Sequence, residues 1–548
     1  MRRLAPFAGW AVLLWVILFC RLGYPSFWDP DEAHYAEATR EMMASGDWLA
    51  PYYNGQPFFD KPILFYWLQT AAFGLLGPTE LAARMVPAIS ALGLFAGVWW
   101  LGAQLFNRRV AGLAVLMLAI LPATFALSAY AILDMTFTAF LFDGLALIAV
   151  AALRDRPRLQ YPGYLLVALA VLTKGPLALV LSGLTFGLAL IVAPAARRPL
   201  LGLRWISGLF GILVLAAPWF LYMWWRFGGA FVEGYVLHEN LSLYSGNVFG
   251  PAASSTFFWP ILLAGLLPWT PVLMGRIVDL VRGDRFPTEE RLLWAWSAAI
   301  LGFFSISHFK LDHYIYPMAP ALCLLAAQAW RQLSDAASRR AHLGTAVGVG
   351  LTGATLIAGA AVLAPQIRNL PLSMEPWINL VPLGFALSGA CLLIRLAIGR
   401  GRPPGMPVAI ASGFVLAYGV LLMVVLPPFE EAKPVKELAR WVANTVPSTG
   451  EVGAYRMDRW NTSWRFYVER PVVQMESFEQ LSEFVRRPGR RVCVMLRGDF
   501  ERLRDSGHRV SIVRERDGIF TTSGRSIRRT GRANWKSFVI VAVEENRP

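Results

Sequence analysis

Residues 24–62 run YPSFWDPDEAHYAEATREMMASGDWLAPYYNGQPFFDKP, and the side chains there could handle a charged, ring-shaped ligand. Asp31 and Glu32 form an acidic pair, Asp60 and Lys61 form a second charged pair, and rings such as Tyr35 and Phe58 lie between them. Two acidic clusters, a cation and many aromatic faces in a short membrane-adjacent loop are the composition such a ligand calls for. Further along the chain, Asp134, Lys174, His238, Glu239, Lys310 and Tyr314 are polar residues set at the edges of apolar segments. Ionisable groups at a membrane boundary are costly to keep there, so those that share one face are candidates for function.

Bland roles compete for each residue. Asp31 and Glu32 at a helix start could only complement the helix dipole, Asp134 could cap the helix that follows it, and Lys174 could extend to lipid headgroups. His34, His238, His308 and His313 share the face without the spacing of a metal motif, so a divalent metal remains an open possibility rather than a derivation.

The elements that hold these residues are mostly apolar. With 548 residues, 56% of them hydrophobic and 16% charged, the chain has too little polar surface for a soluble globule and is expected to be a polytopic α-helical membrane protein. The net charge of +15 then points to loops held on the cytoplasmic side rather than to nucleic acid, for which no basic module interleaved with aromatics is visible. Four cysteines form no disulfide framework or zinc pattern.

Residues 7–23, preceded by Arg2 and Arg3, form a first span without a small-residue cleavage site. Residues 62–77 are apolar but short, and they are assigned to the interface because only then do the later loops obey the positive-inside rule. Arg108 and Arg109, Arg154 to Arg158, Arg197 to Arg204, Arg276 to Arg285, Arg331 to Arg340 and Arg395 to Arg402 then fall on the cytoplasmic side. The remaining spans lie near 84–104, 110–128, 132–150, 162–173, 176–195, 205–225, 257–276, 292–307, 314–330, 343–364, 379–397 and 407–426, about thirteen in all. Residues 1–427 are thus a membrane domain with polar loops at 24–83 and 226–256 on the outer face.

Residues 428–548 change character. Helical patterns near 434–446 and 477–487 alternate with strand-like runs at 450–455, 490–496, 508–514 and 537–543, the pattern of a small soluble α/β domain outside the cytoplasm. Its arginines, among them Arg486, Arg487, Arg490, Arg491, Arg525, Arg528 and Arg529, are read as a solvated face or as contacts with anionic lipid. Within the first loop, Asp29 is expected to cap a helix carrying Pro30, Asp31 and Glu32 in its first turn, with Glu32 closing a capping box and Gly46 ending the helix.

The ordered motifs DPDEAHYAEATREM, NGQPFFDKP, LDMTFTAF, LTKGPLALVL and FSISHFKLDHYIYPMAPALCLLA resemble those of the bacterial aminoarabinose transferases, which are C-type membrane glycosyltransferases related to the protein O-mannosyltransferases. The resemblance covers most of the chain, including its C-terminal region. It implies a polyprenyl (undecaprenyl) phosphate donor carrying a sugar such as 4-amino-4-deoxy-L-arabinose, transfer to lipid A, and a periplasmic active site in the bacterial inner membrane. By position, Asp31 matches the family's catalytic acid, Lys61 its phosphate-contacting lysine and Asp134 its second acidic motif. The family commonly has Arg where His34 stands and Glu where Asp60 stands, and ENLSLYSGNVFGP lacks a basic residue expected in its loop.

The chemistry also follows from the residues. A sugar on a lipid phosphate is already activated, so the protein must position the acceptor and stabilise the departing phosphate. Lys61 suits that task, with Lys174 or Lys310; Asp31 suits the acceptor, with Glu32 and Asp134 as the other acids. Direct displacement would invert the anomeric centre. Two other readings are a related transferase acting on protein or another glycan, and a lipid or sugar transporter, whose broken midplane helices the short pair at 162–195 could mimic. A transporter would also want paired halves and polar groups near the membrane centre, and neither is visible.

Overall fold

The computed structural model describes residues 5–246, 254–335, 342–368, 376–398, 406–457, 461–520 and 535–543. Residues 247–253 of the second outer loop and the arginines 339, 340, 400, 402, 525, 528 and 529 lie outside the described residues.

Among the described residues, six helices are long and apolar enough to cross a membrane, and two bent helix pairs would bring the number to eight. The six include Glu80–Leu105, Asp134–Leu153 and Trp205–Phe227. Other expected spans fall on helices that are short, such as Arg108–Ala119 and Gln160–Lys174, or that start with charges, as Thr288–Ile306 does with Glu289 and Glu290. The expected continuous span 257–276 is instead broken into Phe258–Gly265 and Thr270–Val281, bent by 105°. Pro268 in the break has no N–H to give, and Pro271 opens the second helix, so the helical hydrogen-bond ladder is weakened at the break. The apolar helix Leu64–Leu76 has 13 residues; at ~1.5 Å rise each it reaches roughly 20 Å, short of the ~30 Å hydrocarbon core.

The first polar loop carries helix Asp31–Ser45, which ends at Gly46 in the left-handed region (φ 70°) as expected. Its start differs from expectation. Pro30, not Asp29, is the cap position, and no side chain caps the helix. Asp29 bonds instead to residues more than 430 positions away, as described below, so no capping box forms. After the helix, β1 (Tyr52–Tyr53) and β2 (Gln56–Pro57) make a small antiparallel hairpin, whose turn at Asn54 and Gly55 has positive φ at both residues.

The C-terminal region folds around a five-stranded mixed sheet with β3 (Glu451–Tyr455), β4 (Val472–Met475), β5 (Arg491–Leu496), β6 (Val510–Gly518) and β7 (Lys536–Val543), in the order β4-β3-β5-β7-β6. The pairs β3·β4 and β3·β5 are parallel, and β5·β7 and β6·β7 antiparallel. The sequence pattern missed β4, four residues directly behind Pro471, and the helices Ser463–Val468 and Arg497–Asp505. Short elements carry too little periodicity to be distinguished from loop. One core of this region is continuous with the first loop: Phe27, Ala33 and Ala36 pack in a single buried cluster with Trp464, Phe466 and Tyr467.

Candidate functional site

Helix Asp31–Ser45 presents its two acids to different surroundings, because consecutive side chains on a helix diverge by about 100°. Asp31 faces a cavity of about 520 Å³. Glu32 turns the other way and is fully buried, with its carboxylate clamped by Arg84 through bonds of 2.8 and 2.6 Å and by the backbone N–H groups of Trp28 and Ala131 at 2.8 and 2.7 Å. This corrects the expectation that Glu32 is a catalytic acid: every lone-pair direction serves the fold, and it lines neither cavity.

Asp31 itself accepts a 3.2 Å bond from the Tyr130 hydroxyl. Burial raises its carboxyl above the usual range, with His313 and His34 opposing that rise through their charge. A carboxylate open to the chamber and bonded to a neutral donor is poised to accept a proton or to pair with an incoming cation.

Below the hairpin, Asp60 and Lys61 make the second charged group. The Lys61 ammonium donates to Asp60 Oδ1 at 2.6 Å, to the Asp60 carbonyl at 3.0 Å and to Glu239 Oε2 at 3.1 Å. Tyr35, from the loop helix, donates to the other Asp60 oxygen at 2.8 Å. Burial alone would raise Asp60, but Lys61 outweighs it and holds the carboxyl down to about 2. Lys61 is correspondingly held above its ordinary value, against its burial, by Asp60 and Glu239. Glu239 moves up instead, through burial and then the like charge of Asp60. Of the two acids on Lys61, Glu239 therefore gives up its charge more readily.

A third group comes from the spans. Asp134 is the first residue of helix Asp134–Leu153, and Lys174 the last of Gln160–Lys174. Neither plays the bland role: Asp134 caps nothing, and the two side chains meet at 2.5 Å. The Lys174 ammonium also sits 4.8 Å from the Tyr314 ring centroid. The turn after Lys174 requires glycine, since Gly175 has φ +83° and a Cβ there would run into the Tyr235 hydroxyl.

The larger cavity brings together Asp31, Tyr35, Phe58, Asp60, Lys61, Asp134, Lys174, His238, Glu239 and Tyr314. Lys310 is not among its lining residues; its ammonium donates to the Ser307 carbonyl. Two residues to which no role was assigned from sequence, His34 and His313, also line it. His313 stands between Asp312 Oδ1, 3.2 Å from Nδ1, and Asp134 Oδ2, 3.7 Å from Nε2. Burial works against its charged form, yet Asp134 and Asp312 outweigh it and raise its pKa. The run Lys310-Leu311-Asp312-His313-Tyr314 was the available signal, but which of its charges turned inward depended on the 3-10 geometry of Asp312–Met318. His308 stays outside the cavity and bonds to the Tyr244 carbonyl. Among the described residues no three His, Cys, Asp or Glu side chains converge as a metal-ligand set.

A second cavity of about 250 Å³ adjoins the first and shares Asp60, Lys61, Lys174, Glu239, Phe309 and Tyr314 with it. Its other walls are largely apolar, including Leu177, Val180, Phe303 and Phe304. The two lysines thus stand where a cavity rich in charged side chains meets one whose remaining walls are uncharged.

Fold and chambers define a multi-pass helical membrane protein with the C-type glycosyltransferase architecture and a C-terminal mixed α/β sheet. Over 99% of this chain and 98% of the other, it superposes with a TM-score of 0.77 and 23% identity on ArnT from Cupriavidus metallidurans bound to undecaprenyl phosphate. Residues 60–224 match the model of the dolichyl-phosphate-mannose-protein mannosyltransferase family. An undecaprenyl phosphate-alpha-4-amino-4-deoxy-L-arabinose arabinosyl transferase of Sodalis glossinidius is 32% identical over 66% of this chain and 65% of its own length. Its counterpart in Aeromonas salmonicida is 32% identical over 65% and 66%. The match therefore spans just under two thirds of those relatives' length. The chain is thus similar in sequence to the aminoarabinose transferases over about two thirds of its length, and it has the fold of ArnT throughout.

Proposed function

We propose that this protein is a glycosyltransferase that moves a sugar from an undecaprenyl phosphate donor to an acceptor at the periplasmic face of the bacterial inner membrane. The sugar is 4-amino-4-deoxy-L-arabinose, by analogy with the named relatives, and the acceptor is lipid A, as the resemblance of the ordered motifs implies. The observation that supports this most is the position of Lys61 and Lys174 where a cavity rich in charged side chains meets one whose remaining walls are uncharged. A polyprenyl phosphate divides in the same way, into a chain that wants apolar walls and a phosphate that wants cations. With the chain along Leu177, Val180 and Phe304, the phosphate lies at the lysines and the sugar enters the chamber of Asp31 and Asp134.

All of the ammonium's donor capacity on Lys61 is already engaged, so a phosphate must replace an existing partner. Glu239 is the more distant carboxylate and the one whose charge burial disfavours. The phosphate therefore takes its place on Lys61. Transfer then breaks the bond from the anomeric carbon to the phosphate oxygen while the acceptor oxygen attacks from the opposite side, with inversion. Asp31 receives the proton of an acceptor hydroxyl, or orients the acceptor where that oxygen is already ionised. Lys61 and Lys174 carry the charge gathering on the leaving phosphate.

The match to a protein mannosyltransferase family model favours a second reading, in which the acceptor is a protein or another glycan. Mass spectrometry of lipid A from cells with and without the chain separates the two. The expected result is a pentosamine on lipid A only when the chain is present; unchanged lipid A with newly glycosylated protein favours the second reading.

A further inference from the structure

The C-terminal region grips the first loop at the two residues before Asp31. The Asp29 carboxylate, only 7% exposed, accepts from the Ser463 N–H at 2.7 Å, the Ser463 hydroxyl at 2.6 Å and the Thr462 hydroxyl at 3.0 Å. The Thr462 hydroxyl also lies 2.8 Å from the Pro30 carbonyl, the cap position of the loop helix. Just upstream, the Tyr467 hydroxyl accepts from the Phe27 N–H at 2.8 Å and donates to Glu80 at 2.9 Å. Lys433 donates to the Ser26 and Phe27 carbonyls, each at 2.8 Å.

The same short helix, Ser463–Val468, reaches the opposite flank of the chamber. Arg465, 2% exposed, donates to Asn54 in the β1–β2 turn, and its guanidinium lies 5.3 Å from the Tyr53 ring. Tyr53 in turn packs against His34 and Phe58, with ring centroids 4.9 and 5.6 Å away. Both of those residues line the larger cavity. One element from the far end of the chain therefore touches the backbone that aims Asp31 and the hairpin that sets His34 and Phe58.

We propose that Asp29, Thr462, Ser463 and Arg465 are positioning residues, through which the C-terminal region holds Asp31 and the hairpin wall of the cavity in their working geometry. The N-terminus of the loop helix has no side-chain cap of its own, so these contacts hold its first residues together with the Glu32 clamp one position further on. A displacement of about 1 Å at a reacting group can cost roughly 100-fold in rate, so a modest loosening here is felt at Asp31. The catalytic half of this inference rests on the glycosyl-transfer reading; the mechanical half does not.

The test uses the full-length chain in nanodiscs, as parent, Thr462→Val/Ser463→Ala, Arg465→Met, and Thr462→Ser, which keeps the hydroxyl. Arg497→Ala is the control, since Arg497 pairs with Glu515 within the C-terminal region. Hydrogen exchange is read over residues 26–36 and 52–58, and kcat and KM for lipid-linked sugar are measured alongside. The double variant should exchange about tenfold faster over 26–36, and Arg465→Met over 52–58, with helix Glu80–Leu105 unchanged. Both should lose kcat by roughly tenfold or more with KM within about twofold, while Thr462→Ser and Arg497→Ala behave as the parent. Parent-like exchange in the double variant and in Arg465→Met overturns the inference whatever the activity. Faster exchange with undiminished kcat overturns the positioning role. A parent that transfers no sugar overturns the function proposed above, and the exchange data still decide whether the C-terminal region holds the loop.

Discussion

Asp31 and Glu32 are neighbours in sequence and share a helix turn, yet the molecule treats them in opposite ways. Glu32 is sealed between Arg84 and two backbone N–H groups, whereas Asp31 meets one tyrosine hydroxyl and an open chamber. The first arrangement satisfies a buried charge completely and leaves it nothing further to do; the second leaves an acid free to answer a ligand. Composition cannot separate two such residues. What they face on neighbouring segments does.

Substitutions sharpen this contrast. The largest stability effect is expected at Glu32→Ala, which leaves the Arg84 guanidinium buried without its counter-charge. Breaking one partner of such a pair costs about 3–5 kcal/mol, so thermal unfolding in nanodiscs should fall sharply and expression with it. A Glu32→Ala protein as stable as the parent would remove the distinction between the two acids.

Lys61→Ala comes next. On the proposed function it removes a charged hydrogen bond to the donor phosphate, worth roughly 1.5–3 kcal/mol, so donor affinity should weaken about 10- to 100-fold in a binding assay with undecaprenyl phosphate. Parent-like binding would place the phosphate elsewhere.

The smallest effect is expected at His313→Gln. The ring keeps its proton to a higher pH than a free imidazole, because Asp134 and Asp312 outweigh burial. Any stability this pairing contributes is complete below the free value of 6.5 and is lost as pH rises through the raised value. In its charged form His313 also helps keep Asp31 ionised against burial. With glutamine there, Asp31 should hold its proton to higher pH, moving the acid limb of kcat/KM upward by ~0.5–1 pH unit. An unmoved limb would show that Asp31 does not sense this ring.

Much of this organisation is legible in the sequence, and what is hidden has a common cause. The expected first-loop helix, its stop at Gly46 and the strand runs at 450–455 and 490–496 depend on local pattern, and the structure has elements there. Lys61, Asp134 and Lys174 could be placed together because the positive-inside rule sorts loops by side. Asp29 looked like a helix cap because its true partners, Thr462 and Ser463, are invisible to any local window. Glu32 looked catalytic because Arg84 lies 52 positions downstream. Lys310 looked like a third phosphate ligand because its charge alone does not reveal that its ammonium is taken by the Ser307 carbonyl.

On the proposed function Asp31 acts on the ligand while its surroundings serve the fold, and turnover of a lipid-linked sugar by Asp31→Asn in nanodiscs decides whether it does. Asparagine still accepts the Tyr130 hydrogen bond but takes no proton and carries no charge. Turnover should fall by roughly 10²- to 10⁴-fold while thermal stability stays near that of the parent. A stable Asp31→Asn protein with near-parental turnover would contradict the claim and move the chemistry to Asp134 or Asp60.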